Sequence, residues 1–76
     1  MKSLEIINQI LEKNQEQRKK KSEEYNRNGD EHFKNGEYDA AISDYSKAIK
    51  LNPDFQVAIN NLKNAKMKKE EEEERK

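Results

Sequence analysis

At 76 residues, with sixteen basic groups balanced by sixteen acidic ones, the chain has room for one small domain and lacks the basic excess of a dedicated nucleic-acid binder. Only 30% of its residues are hydrophobic, and a chain this short hides only about 60% of its unfolded surface on folding, so a single copy is marginal alone. It has no cysteine, which removes disulfides and thiolate metal sites, and no apolar run long enough to span a membrane.

Two glycines and one proline are too few for a turn-rich β fold, so the expected class is all-α, in a soluble, cytoplasmic protein. The first apolar residues, Leu4, Ile6, Ile7, Ile10 and Leu11, recur at helical spacing. Glu5, Asn8 and Gln9 interrupt them, so the stretch is not the core of a signal peptide. The spacing predicts an amphipathic helix over 1–21, running on into the next helix. Its weak point falls near Ser22, where Arg18–Lys21 suit a helix C-terminus and Ser22-Glu23-Glu24 suit an N-cap and first turn.

Over 22–54 the pattern is that of a helical hairpin. One helix runs to Asn35-Gly36, a C-terminal stop. A second begins at Tyr38, carries Ala41, Ile42, Tyr45, Ala48 and Ile49, and stops at Asn52-Pro53. Gly29, Ala41 and Ala48 supply the small side chains that a close helix crossing needs, and Tyr25 and Tyr45 can fill beside them. Asp54 is the expected cap of a third helix over 55–69, with Phe55, Ala58, Ile59, Leu62 and Ala65 on its stripe. Beyond Met67 no apolar residue remains. The charged tail 70–76 is expected to be solvated and frayed, with Lys66–Glu70 and Lys68–Glu72 pairs at four-residue spacing.

Tyr25, Gly29, Gly36, Tyr38, Ala41, Tyr45, Ala48, Leu51 and Pro53 stand in the order and spacing of the tetratricopeptide repeat, which the stretch 22–55 resembles. The resemblance implies a helix–turn–helix unit followed by a capping helix, with no catalytic activity and no cofactor. Asn28 and His32 depart from the family pattern, where leucine and an aromatic are usual. In such arrays the first helix of each unit lines a concave face. That puts a peptide groove at Asn26, Asp30, Phe33, Asn60, Asn61, Asn64 and Met67. The stretch is also similar to repeats of chaperone adaptors, whose two-carboxylate clamp needs five polar residues. Only Asn61 matches that set; Asn26 and Asp30 replace a lysine and an asparagine, and Asp30 would repel a carboxylate.

Repeats of this kind normally need at least three copies for stability, and about one and a half are present. The remaining apolar stripe then becomes informative. Leu4, Ile7, Ile10 and Leu11 can cover the hairpin by folding back, or dock on another protein. In one continuous helix Leu11 and Tyr25 are about 21 Å apart along the axis, so a rigid helix cannot fold back. A homo-oligomer formed through this face is expected, with a protein or peptide as partner and neither nucleic acid nor membrane. The lone His32 has no second nitrogen or thiolate for a metal. Glu37, Asp39 and Asp44 have no catalytic partner at a suggestive spacing, and Arg18–Lys21 reads as a solvated face.

Overall fold

In the computed structural model, residues 2–75 are described in backbone, and side chains are described except at 2–5, 8 and 10–12. Three helices follow one another: α1 (Lys2–Lys34), α2 (Tyr38–Leu51) and α3 (Gln56–Arg75), with no strand among the described residues. The all-α helical hairpin is therefore present. Its long helix makes the molecule a rod of 64 × 17 × 14 Å.

The turn after α1 is built by glycine. Gly36 has φ +79°, a left-handed conformation that side-chain-bearing residues rarely adopt. There its N–H reaches the carbonyl of Phe33 at 3.0 Å, and the Glu37 N–H reaches that of His32 at 2.9 Å. This pair of bonds is the Schellman arrangement that closes a helix. The chain reverses and α2 packs back along α1. Asn52 ends α2 by donating its N–H to the Ala48 carbonyl at 3.0 Å, and Pro53 follows.

What α2 meets is a seam of small groups. Ala41, Ala48, Ala58 and Ala65 have no exposed surface, and among the described residues Tyr45 is the one large side chain that is enclosed, at 2% exposure. On α1, Ser22, Asn26 and Gly29 are buried at spacings of four and three, a stripe with Phe33 continuing it. A β-carbon built at Gly29 would lie 2.6 Å from Cε1 of Tyr45, so the tyrosine ring rests directly on the α1 backbone. Phe33 closes the far end, packed edge-on to Tyr38 with ring centres 5.3 Å apart.

Several sequence expectations are corrected. Ser22 is no N-cap: it is buried inside an unbroken helix, and its hydroxyl donates to the Lys19 carbonyl at 2.6 Å. Because α1 is continuous, it does not fold back over the hairpin. Asp54 does not cap α3. Phe55 occupies that position, its carbonyl accepting from the Ile59 N–H at 3.1 Å. The acidic stretch continues α3 as an exposed helical extension to Arg75. Lys69 reaches back to Asp39 at 2.7 Å, an ion pair between α3 and the first turn of α2. Within α3 the pairs are Lys68–Glu71 and Lys69–Glu73, one residue away from the expected registers.

Candidate interaction surfaces

Three helices bring four polar residues together on one side of the seam. Tyr45 donates its hydroxyl to Oδ1 of Asp30 at 2.5 Å. Asn61 of α3 donates to Oδ1 of Asn26 at 3.0 Å, with Oδ1 of Asp30 at 3.4 Å. Asp30 thus accepts from both α2 and α3, and the cluster fixes α3 against α1, which it otherwise scarcely touches. Burial pushes the Tyr45 phenol pKa up. The hydrogen bond to Asp30 and the charges of Asp30 and Asp44 add to the shift.

The expected groove is therefore divided. Asn26, Asp30 and Asn61 do meet, but they satisfy one another, and Asn26 is buried. Phe33 belongs to the hairpin core, beside Ala41, Tyr45 and Ala65. Asn60 and Asn64 are exposed, Asn60 accepting from Gln56 of its own helix at 3.3 Å. Met67 is also exposed. Of the expected association face, Ile7 is 51% exposed and Ile6 beside it 56%. The side chains of Leu4, Ile10 and Leu11 lie outside the described residues.

Two concavities mark the ends of α2. One, of about 610 Å³, is lined by Gln15, Arg18 and Lys19 of α1 with Leu51, Phe55 and Val57. The other, of about 400 Å³, lies between Gly36–Ala40 and Lys69, Glu72 and Glu73. Neither contains Asn26, Asp30 or Asn61. Both are open and lined by charge, which suits contact with another macromolecule better than enclosure of a small one.

Three contacts escaped the sequence reading. His32 sits between Glu37, at 3.3 Å from Nδ1, and Asp44, at 3.4 Å from Nε2. Asp39 has Lys69, whose pKa is raised by that hydrogen bond and charge. Among the described residues no three metal-ligating side chains converge, and no helix is long and apolar enough to cross a membrane.

The left-handed glycine turn, the close approach of Tyr45 to Gly29 and the proline-terminated second helix all fall within residues 22–55, and that stretch matches the family model of the tetratricopeptide repeat. It is a tetratricopeptide repeat. No curated protein and no solved structure has significant similarity to the chain. Tetratricopeptide repeats are protein-interaction modules. In this one, α1 and α2 form the repeat, and α3 covers the open flank of α2 with Ala58 and Ala65. The first twenty residues of α1, 2–21, lie ahead of the matched stretch.

Proposed function

We propose that the chain is a non-enzymatic protein–protein interaction module that self-associates through helical faces its own hairpin leaves uncovered, in a cytoplasmic setting. The observation that carries this reading is the N-terminal arm of α1. The α2–α3 turn reaches Gln15, Arg18 and Lys19, so the arm ahead of them extends beyond the hairpin, with Ile6 and Ile7 exposed on it. In the sequence Leu4, Ile10 and Leu11 stand at helical spacing around them. Neighbouring large apolar side chains left exposed on an uncovered helix suit an interaction site.

Ile6→Glu and Ile7→Glu together place charge on the stripe without touching the seam. The double variant should sediment as a monomer at concentrations where the parent chain associates, with helix content retained. Unchanged association would contradict the arm's role.

A second reading, capture of a peptide beside α3, is favoured by exposed Asn60, Asn64 and Met67. It does not extend to the acidic chaperone tails. Asp30 brings a carboxylate to that face, and titration with an acidic C-terminal peptide should give no saturable signal.

A further inference from the structure

Two runs of opposite charge in this chain lie too far apart to meet each other within one molecule. Arg18, Lys19, Lys20 and Lys21 are consecutive and exposed on α1, and Glu70–Glu74 are consecutive and exposed on α3. Arg18 and Lys19 lie at the Leu51 end of α2, whereas Glu72 and Glu73 lie at its Tyr38 end. The 14 residues of α2 hold those ends about 21 Å apart. Glu71 and Glu73 do lean towards Lys68 and Lys69 of their own helix, but at 3.5 and 4.0 Å on an open surface these pairs are readily exchanged.

We infer that the arm and basic run of one copy dock along α3 of the next copy, with Arg18–Lys21 level with Glu71–Glu74, giving a head-to-tail contact. This rests on the self-association proposed above and names its partner and polarity. The occupant follows from charge. With the two helices running the same way, that register also sets Glu16 level with Lys69 and lays Leu4–Leu11 beside Val57–Asn64. The latter stretch offers exposed Val57 and half-buried Ile59 and Leu62 as apolar ground. Lys13 opposite Lys66 is the one like-charged level. Pairing arm with arm in parallel would instead stack the two basic runs on each other. Such a contact uses a different patch on each partner, so a dimer still carries one free patch of each kind and the assembly grows by addition, into a ring or a filament.

The test uses two neutralised full-length variants. One carries Arg18→Gln, Lys19→Gln, Lys20→Gln and Lys21→Gln; the other carries Glu71→Gln, Glu72→Gln, Glu73→Gln and Glu74→Gln. All eight positions are exposed, and circular dichroism checks that helix content matches the parent. By light scattering at about 0.01 M salt, where charges are felt over about 30 Å, the parent should grow with concentration. At about 1 M salt its association should weaken on the order of tenfold or more. Each variant alone should remain at 9.0 kDa, and an equimolar mixture should form a dimer of twice that mass and stop, because each supplies the one run the other lacks. If each variant alone still dimerises, the chain self-associates by another contact and the head-to-tail inference falls. A mixture that stays monomeric while the parent assembles also overturns it. A parent that stays at 9.0 kDa throughout overturns self-association itself.

Discussion

Tyr45 does two things from one position. Its ring occupies the notch that Gly29 leaves in α1, and its hydroxyl holds Asp30, which in turn receives Asn61 from α3. Glycine within a helix costs about 1 kcal/mol relative to alanine, yet an alanine Cβ here would have to displace an aromatic ring that is 2% exposed. Overpacking of this kind costs about 1–3 kcal/mol, so Gly29→Ala should lower stability in urea despite its better helix propensity. Tyr45→Phe keeps the ring and removes a hydrogen bond to a charged acceptor, and should cost about 1–3 kcal/mol in the same assay. The pH dependence has a definite sign. The folded state raises the Tyr45 pKa above its ordinary 10.0, so folded molecules hold the proton longer than unfolded ones. That stability is complete below pH 10.0 and is lost as pH rises towards the folded value. Lys69, also raised, acts in the same direction through its exposed pair with Asp39. The melting temperature should therefore fall above pH 10.0, and less steeply in Tyr45→Phe. An equal slope in parent and variant would remove Tyr45 from the account.

At the scale of elements, the hairpin packs alanines around Tyr45, with Phe33, Ile42 and Leu62 against them. Ala41→Leu or Ala48→Leu inserts a side chain at a fully enclosed position and should cost about 1–3 kcal/mol, whereas Glu72→Gln on exposed α3 should stay within about 0.5 kcal/mol. Comparable urea midpoints for the two kinds of variant would contradict the seam. The stops were readable because they are local: Gly36 alone can take the left-handed turn, and Pro53 alone forbids continuation. Ser22 misled for the same reason. Basic residues before it and acidic ones after it look like a helix junction, but Ser22, Asn26 and Gly29 form the buried stripe of α1, written in polar and small residues that a search for apolar periodicity passes over. The Tyr45–Asp30 and Asn61–Asn26 bonds join residues 15 and 35 positions apart, and no local pattern announces them. The Lys69–Asp39 pair was hidden likewise, because only the close packing of α3 on α2 brings the start of one helix beside the later turns of the other.

The whole molecule is set by one imbalance. At 33 residues α1 is more than twice as long as the 14-residue helix packed on it, about 50 Å against about 21 Å. The hairpin and α3 cover one part of α1, and the arm is left with exposed isoleucines and a basic run at its base. The same disproportion separates the basic run from the acidic end of α3 within one molecule. The mass of the full-length chain in solution, measured by light scattering over a wide concentration range at low salt, tests this most directly. The account predicts a mass that rises above 9.0 kDa with concentration; a constant 9.0 kDa from a chain that melts cooperatively would contradict it.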